Sequence, residues 1–478
     1  METTRKKTLD LTRGPILPLM LRFCLPILLG NIMQQFYNMA DAAVVGKLVG
    51  TGALAAVGAT GSVTFLVIGF VDGICAGFCI PAAQSFGAGN RTLLRRCVAN
   101  IVWLGIGAAF LLTASTSLLL GRILTAMDFP PDIYGDSFAY LRVIFAGIPA
   151  TVAYNTQAGL MRAMGNSRTP LYVLVFSCCL NIALDLTLVG GFGMGVGGAA
   201  IATVAAQTVS AVICFVYILR NYPELRMSAE ERRFDYRIAG RLILSGLPMA
   251  LQYSITAIGS VLIQAAVNGL GSTVIASVTA ANKVQSFVHL PFGTLGVTIS
   301  TFIGQNIGAG RYDRVKAGFR GAMLVACVYS VAMGVFMYFG GSYLSLIFLD
   351  RAEPMLGELL AVIRHFLRVN CLFYIPLGVL TVCRFSLQGM EYGVTAMFAG
   401  AFEMAARGVV ALVFAKTYGF EAICCANPAA WIAACVLLVP ACVVMFPKAR
   451  ARAEQAERAR GRTTETDETE GTEGEEHA

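Results

Sequence analysis

The sequence predicts an all-α polytopic membrane protein with twelve transmembrane helices in two pseudo-symmetric six-helix bundles. Its 478 residues are 56% hydrophobic and only 13% charged, with a mean hydropathy of +0.69. Soluble domains carry about 25% charged residues, so the apolar surface requires a membrane. A six-residue motif at 84–89 is repeated at 305–310, which indicates an internal duplication. The two copies read Gln84-Ser85-Phe86-Gly87-Ala88-Gly89 and Gln305-Asn306-Ile307-Gly308-Ala309-Gly310.

Twelve apolar blocks follow one another along the chain. Each spanning helix needs roughly 20 apolar residues, and the blocks have about that length or more. Charged residues fall mostly between the blocks, as expected because a charge at the bilayer centre is costly. The predicted spans are 15–46, 53–82, 94–120, 134–160, 170–191, 195–220, 240–268, 274–304, 316–340, 359–388, 394–416 and 420–447.

Basic residues occupy alternate loops and predict the orientation. The protein is expected in the plasma (or inner) membrane of the cell. By the positive-inside rule, both of its termini are expected on the cytoplasmic side. This distribution also argues against a nucleic-acid partner, although the net charge is +8. The first basic run is interpreted as a cytoplasmic flank and not as a signal peptide, because no cleavable small-residue site follows it. The residues on the predicted cytoplasmic side include Arg5, Lys6, Lys7, Arg13, Arg91, Arg95, Arg96, Arg162, Arg168, Arg220, Arg226, Arg311, Arg314, Lys316 and Arg320.

The repeat divides the chain into two lobes with flanking segments. Pro26 and Pro248, 222 positions apart, are expected to interrupt the first helix of each half, and Pro149 and Pro376 the fourth. Because each half has six spans, both halves enter the membrane in the same direction, as in transporters whose site lies where the halves meet. The tail has few apolar residues and is expected to be disordered. The predicted segments are a cytoplasmic N-terminus (1–14), an N-terminal lobe (15–220), a linker (221–239), a C-terminal lobe (240–447) and the tail (448–478).

Ionisable residues at membrane depth are the candidate functional groups, because acids there are costly. Asp41 lies in the first span, and Asn181 and Asp185 lie in the fifth, four residues apart on one helical face. Two buried carboxylates without an obvious basic partner need a proton, a metal ion or a cationic ligand. The alternative interpretation is structural: Asp41 would cap a broken helix near the outer interface, and Asp185 would only support packing.

Further polar residues extend this hypothesis. Asp72, within the run Gly69-x3-Gly73-x3-Gly77, is a possible second protonation site or an interfacial residue. Such glycine runs let helices approach closely. Three polar residues that precede Asp41 in the same span are additional candidates, namely Gln34, Tyr37 and Asn38.

The second half carries a different pair at the equivalent place. At an offset of 222, Asn181 and Asp185 correspond to Glu403 and Arg407. These two are also four residues apart and can neutralise each other along one helix. We therefore interpret them as a structural ion pair, which leaves the unpaired negative site in the first half alone.

Several other chemistries find no support in the sequence. Gly193-x-Gly195-x-x-Gly198 has the letters of a dinucleotide fingerprint but follows a helix, so it predicts a tight turn. The sequence has no phosphate-loop motif, which disfavours ATP as the energy source. Its fourteen cysteines show no C-x-x-C metal spacing. We expect no resident cofactor.

These motifs together resemble the multidrug and toxic compound extrusion (MATE) family over about 15–447. The resemblance implies two six-helix bundles around a cavity that opens alternately to either side. It also implies export of cationic or amphipathic compounds in exchange for H⁺ or Na⁺. The chain looks closer to the DNA-damage-inducible (DinF-type) branch, because Gln264 stands where the other main prokaryotic branch places acids. The motifs that carry the resemblance are Asp41 with Gly46 and Gly50, the two Gln-x-x-Gly-Ala-Gly motifs, the segment 162–170, Asn181-x3-Asp185 and the segment 195–203.

Carried over residue by residue, the resemblance implies a first-half cation site. Its residues would be Asp41, Asn181, Asp185 and Thr203, whose oxygens can ligate Na⁺ or hold protons; Asp72 departs from the family pattern. The expected partners are small organic molecules and the lipid bilayer, and we expect a monomer. Two alternatives remain. A flippase for a lipid-linked precursor predicts about fourteen spans and a strongly cationic cavity. An intramembrane enzyme needs a nucleophile–base set or metal ligands at depth.

Overall fold

The computed structural model describes residues 8–127, 129–349 and 355–475. Side chains beyond Ala451 are described only for Glu454. The basic residues Arg5, Lys6 and Lys7 of the predicted cytoplasmic N-terminus lie outside the described residues, as does the end of the predicted tail, 476–478.

The described chain is almost entirely helical, and its helices fall into two matching sets. The first set is α1 (Ile16–Leu48), α2 (Thr51–Gly87), α3 (Arg91–Ala126), α4 (Pro131–Ala146), α5 (Ile148–Ala163), α6 (Arg168–Asp185) and α7 (Gly195–Asn221). The second set is α8 (Tyr236–Asn268), α9 (Ser272–Gly308), α10 (Tyr312–Leu344), α11 (Leu356–Cys371), α12 (Tyr374–Gly389), α13 (Gly393–Val409), α14 (Ala415–Tyr418) and α15 (Phe420–Glu475). A π-helical segment follows α6 at Leu186–Gly191 and another follows α13 at Val410–Phe414.

The helices of the described residues form up to twelve membrane spans, which confirms the predicted fold class. Ten helical stretches are long and apolar enough to cross a membrane, and two bent pairs complete the twelve. The α4–α5 pair bends by 48° and the α11–α12 pair by 50°. Pro149 and Pro376 lie in the first turn after each bend, where a missing backbone N–H costs little. The predicted interruptions of the fourth span of each half are therefore confirmed.

The first helix of each half differs from the prediction. Pro26 lies inside α1 and Pro248 inside α8, and each helix continues past its proline to a total length of 33 residues. Proline is tolerated within transmembrane helices because neighbouring groups and local adjustments satisfy the freed backbone carbonyls. These two prolines therefore mark equivalent positions of the repeat without ending a helix.

The two lobes meet where α2 of the first packs against α8 of the second. A Cβ atom placed on Gly73 would stand 2.7 Å from Cα of Ala250, and one on Gly77 would overlap the backbone of Gly246. Only glycine allows backbones to approach this closely. The predicted glycine run therefore does bring two helices together, and those helices belong to different lobes.

The linker between the lobes packs against α3. Arg95 Nε donates to Glu231 Oε1 at 2.8 Å, and Asn100 Oδ1 accepts the backbone N–H of Asp235 at 2.9 Å. Asp235 in turn caps α8 by accepting the N–H of Arg237 at 2.9 Å. The N–H of Ser228 and the guanidinium of Arg95 lower the pKa of Glu231.

The last helix continues where the composition predicts disorder. α15 runs to Glu475, through most of the segment after Lys448. Alanine, arginine and glutamate at the start of this segment have high helix propensity. Arg450 Nε also donates to Glu454 Oε1 at 2.7 Å, four residues along the same helix. Local helix preference therefore accounts for the helical start of this segment.

Candidate functional site

Two acids of the first lobe meet inside the protein. Asp41 in α1 is 8% exposed, and Asp185 at the end of α6 is fully buried. Their carboxyl groups are neighbours and interact electrostatically. Asn181 is also fully buried, one turn before Asp185 on the same face of α6. The sequence places these residues far apart, and the packing of α1 on α6 unites them.

The π-helical segment begins directly after Asp185. Single π-helical turns inside helices often occur at functional sites because they disturb the regular hydrogen-bond ladder. The segment Leu186–Gly191 displaces the chain between α6 and α7. Hydrophobic periodicity gave no sign of it. The equivalent segment of the second lobe, Val410–Phe414, begins three residues after Arg407.

The carboxyl pair lacks protein partners that would neutralise it. Both oxygens of Asp185, one oxygen of Asp41 and both side-chain polar atoms of Asn181 are buried without a hydrogen-bond donor or acceptor from the rest of the described chain. Two adjacent carboxylates shielded from water repel each other unless a proton or a cation lies between them. The arrangement is therefore suited to binding a small cation or a proton.

A tyrosine and a threonine border this pair. Tyr37 of α1 donates from its hydroxyl to Thr203 Oγ1 of α7 at 3.0 Å. Tyr37 also lies within electrostatic range of Asp41 and Asp185. Thr203 is half-buried. The oxygen ligands implied by the resemblance are thus gathered on α1, α6 and α7, with hydroxyl and carboxyl oxygens of the kind that hard cations prefer.

Tyr140 is a neighbour that the sequence did not reveal. It lies on α4, is 9% exposed, and stands within electrostatic range of both Asp41 and Asp185. A tyrosine inside an apolar span carries no distinctive sequence signal, and its contact with the pair depends on the packing of α4.

Gln34 and Asn38 stand apart from the carboxyl pair. Gln34 Nε2 donates to Asn38 Oδ1 at 3.4 Å, and Asn38 is exposed. Among the described residues, no hydrogen bond links either of them to Asp41. The structure thus brings Tyr37 to the site and leaves these two on an accessible face of α1.

Asp72 also lies away from the pair. Its carboxylate accepts a hydrogen bond from Asn155 Nδ2 of α5 at 2.5 Å. Arg162 of the same lobe and Tyr253 of α8 are within electrostatic range. Asp72 is accessible to solvent but has protein on all sides. Its side chain therefore lies in the cleft between the lobes. It is therefore a separate acid, facing the second lobe.

The predicted ion pair of the second lobe has a third member. Arg384 of α12 donates from Nη2 to Glu403 Oε1, whereas Arg407 Nη2 is 3.8 Å from Glu403 Oε2. The closer partner of Glu403 thus comes from a neighbouring helix, which helical spacing could not indicate. All three side chains are buried. The predicted ion pair of Glu403 and Arg407 is present, and Arg384 adds a second guanidinium group to the same carboxylate, so the cluster has two cations for one anion.

The two Gln-x-x-Gly-Ala-Gly motifs interlock across the lobes. A Cβ on Gly87 would overlap the backbone of Gln305, and one on Gly308 would overlap the backbone of Gln84. Gln84 Nε2 donates to the carbonyl of Gly389 at 3.1 Å, and Gln305 Nε2 donates to the carbonyl of Ala163 at 2.7 Å. The repeated motif thus forms a reciprocal contact between the lobes. This contact closes the side of the protein at which α2 and α9 end, which we call the terminal face.

The N-terminal segment and an arginine reinforce this closure. Leu9 donates to the carbonyl of Gly165 in the first lobe at 3.0 Å, and Leu11 donates to Gln305 Oε1 at 3.3 Å. Arg314 Nη1 donates to the carbonyl of Gly14 at 2.8 Å. On the other side, Arg241 Nη2 donates to Gln84 Oε1 at 2.7 Å. Chain from both lobes therefore covers the terminal face.

Up to twelve spans in the described chain, arranged in two repeated lobes with a buried carboxyl pair in one lobe, are the architecture of a membrane transporter. A family model described as MatE matches residues 26–187 and 248–413, one stretch in each lobe. The chain belongs to this family. The two matches begin 222 positions apart, the same offset as Pro26 and Pro248.

Known relatives and a solved structure agree with this membership. The chain is 28% identical to the probable multidrug resistance protein YoeA of Bacillus subtilis, covering 70% of this chain and 73% of the relative. It is 24% identical to the FAD transporter of Shewanella oneidensis, covering 78% and 82%. Its fold matches an outward-facing multidrug resistance MATE transporter of the MOP superfamily with a TM-score of 0.83, at 20% identity, covering 94% and 98%. The relatives are transporters, which argues against an intramembrane enzyme.

Proposed function

We propose that this chain is a secondary antiporter that exports cationic or amphipathic organic compounds in exchange for H⁺ or Na⁺ by alternating access. The observation that supports this most is the buried contact between Asp41 and Asp185, which lacks a neutralising partner in the described chain. A cation or proton entering this contact removes the repulsion between the carboxylates. Cargo with a positive charge competes for the same negative potential, and this competition couples the two fluxes.

Either an H⁺ gradient or a Na⁺ gradient can supply the coupling ion. One charge crossing 100 mV releases about 2.3 kcal/mol, and a tenfold ion gradient adds about 1.4 kcal/mol. One or two ions therefore support a substantial cargo gradient without ATP. Two carboxyl groups, a tyrosine, a threonine and an amide are compatible with Na⁺ as well as with protons. Among the described residues, no group of three or more His, Cys, Asp or Glu side chains is arranged to hold a metal ion.

The described conformation corresponds, in this proposal, to the outward-open state of a monomer. Arg91, Arg95 and Arg96 begin α3 next to the terminal face, and Arg314 and Lys316 lie at the start of α10. Basic residues on one face indicate the cytoplasmic side. Because the lobes interlock there, the cleft is open toward the opposite side. Inward opening would separate Gly87 from Gln305 and Gly308 from Gln84.

Family membership leaves the cargo open. FAD, named for the Shewanella relative, carries two phosphate groups, so the charge of the cargo does not follow from the family. The cationic or amphipathic cargo proposed here follows from the acids that face the interior, Asp41, Asp185 and Asp72. The flippase alternative predicted about fourteen spans, whereas the described chain has up to twelve.

Efflux from cells tests the proposal. Asp185→Asn and Asp41→Asn are each expected to abolish ethidium efflux at unchanged membrane expression, because the amide holds neither a proton nor the full charge. Asp132→Asn, in an exposed acid at the start of α4, is the matched control and is expected to export normally. Normal efflux by Asp185→Asn would remove the carboxyl pair from the mechanism.

A further inference from the structure

The second lobe contains more buried positive charge than it neutralises. Arg384 is 9% exposed, Arg407 6% and Glu403 3%, and these three side chains form one cluster between α12 and α13. Counting charges gives two guanidinium groups for one carboxylate. The groups nearest to Arg384 electrostatically, besides Glu403, are Arg407, Cys435 and Tyr253. None of these three supplies a second negative charge while Cys435 and Tyr253 keep their protons.

Several N–H groups in this cluster lack acceptors. Nε of Arg384 and both Nε and Nη1 of Arg407 are buried without a hydrogen-bond partner in the described chain. Arg407 lies against Gly259 of α8, where a Cβ would stand 3.2 Å from its Nη1. Removing one partner of a buried ion pair is strongly destabilising because the remaining charge is uncompensated. An arginine that is more than nine-tenths buried and only partly paired therefore calls for a further anionic partner.

We propose that Arg384 and Arg407 bind an anionic group, a halide, a phosphate or a carboxylate, which completes the charge balance of the second lobe. Guanidinium groups present planar, forked donors that match carboxylate and phosphate oxygens. The unpartnered N–H groups of both arginines provide the donors. The first lobe would then hold a cation beside carboxylates, and the second lobe an anion beside guanidinium groups. Arg407 occupies the repeat position of Asp185, and Arg384 that of Arg162.

The position of the cluster suggests how an anion reaches it. The cluster packs behind α8, the helix that contacts α2 of the first lobe through Ala250 and Gly73. Tyr253 on α8 lies within electrostatic range of both Arg384 and Asp72. The anion site therefore adjoins the cleft between the lobes, opposite an acid. The bound group is either an inorganic anion or the anionic end of an amphipathic cargo; the second case rests on the proposed export function.

Binding to the purified full-length protein tests the site without requiring transport. The melting temperature is measured in detergent, in a buffer whose only anion is a bulky sulfonate. Chloride, inorganic phosphate and dansylglycine are titrated separately, with dansylglycinamide as the uncharged match. We expect a saturable rise of several degrees with at least one anion. A response to chloride or phosphate indicates an inorganic ion, and a response to dansylglycine but not to its amide indicates a cargo group.

Substitutions locate the response. Arg407→Met leaves Arg384 and Glu403 as a neutral pair, so it is expected to abolish the rise and to be at least as stable as the unaltered protein without anion. Lys316→Met removes an exposed cation at the terminal face and is expected to keep the rise. If Arg407→Met does not fold, Arg407→Lys, which lacks the fork, is expected to weaken binding about tenfold. No response to any anion, or an undiminished response in the Arg407 variant that folds, would overturn the proposal.

Discussion

Gln84 and Gln305 occupy equivalent places in the two repeats, and each donates its side-chain amide to a backbone carbonyl of the opposite lobe. The glycine three residues after each glutamine lies against the backbone of the other glutamine. The Gln-x-x-Gly-Ala-Gly motif, whose repetition indicates the duplication, thus also forms the contact between the duplicated halves. Because both copies are needed for the reciprocal fit, the same sequence is required twice.

Weakening this contact is expected to open the terminal face. Gln84→Ala removes the hydrogen bonds to the carbonyl of Gly389 and from Arg241, and Gln305→Ala removes those to the carbonyl of Ala163 and from Leu11. At about 1 kcal/mol for each bond, each substitution is expected to shift the balance toward the open face about thirtyfold. Hydrogen exchange should become faster at the ends of α2 and α9. Gln264→Ala, whose partner Asn268 lies on its own helix, is the control and should leave those ends protected. Equal exchange in all variants would contradict this role.

Tyr37 is expected to support ion binding by tying α1 to α7. Tyr37→Phe removes the 3.0 Å bond to Thr203 while keeping the ring. Loss of one such bond costs about 1 kcal/mol, so the concentration of coupling ion needed for half-maximal efflux should rise about fivefold. Ion titrations in proteoliposomes measure this. Tyr172→Phe, on an exposed ring of α6, should behave like the unaltered protein. If Tyr37→Phe needs the same ion concentration for half-maximal efflux as the unaltered protein, the hydrogen bond to Thr203 does not support ion binding.

Asp72 is expected to act on cargo and not on ion coupling. Its side chain faces the interlobe cleft and bonds to Asn155, away from the carboxyl pair. Asp72→Asn should therefore raise the cargo concentration required for half-maximal transport several-fold while the dependence on ions remains. Transport measured over a range of ethidium concentrations, with and without the ion gradient, separates the two effects. Loss of ion dependence in Asp72→Asn would instead make it a second coupling acid.

Glu231 is expected to stabilise the linker only above acidic pH. Its pKa is lowered by the N–H of Ser228 and by Arg95. A carboxyl whose pKa is lower in the folded state stabilises that state above its ordinary pKa of about 4.3, and the effect is lost as the pH falls through the folded value. Glu231→Gln should therefore speed proteolysis of the linker at pH 7, and the difference should shrink below pH 4. A constant difference across this range would contradict the assignment.

The sequence was most informative where a signal lies within one helix. Asn181 and Asp185 share a face because they are four residues apart, and Pro149 and Pro376 mark the bends because proline favours a first helical turn. Contacts between helices were less accessible. Tyr140 beside the carboxyl pair and Arg384 beside Glu403 come from other helices than the residues they contact, so only the packed structure reveals them. The same limit explains why the ion pair of Glu403 and Arg407 was predicted from helical spacing and its third member, Arg384, was not.

Ion-driven transport by purified protein tests the central claim most directly. Proteoliposomes loaded with ethidium are given an inward Na⁺ gradient, or an equal K⁺ gradient, at fixed pH difference, and then a pH difference alone. The account predicts that Na⁺ or H⁺ drives ethidium export and that Asp185→Asn abolishes the driven component. Export that ignores both gradients, or that Asp185→Asn sustains at the unaltered rate, would contradict it.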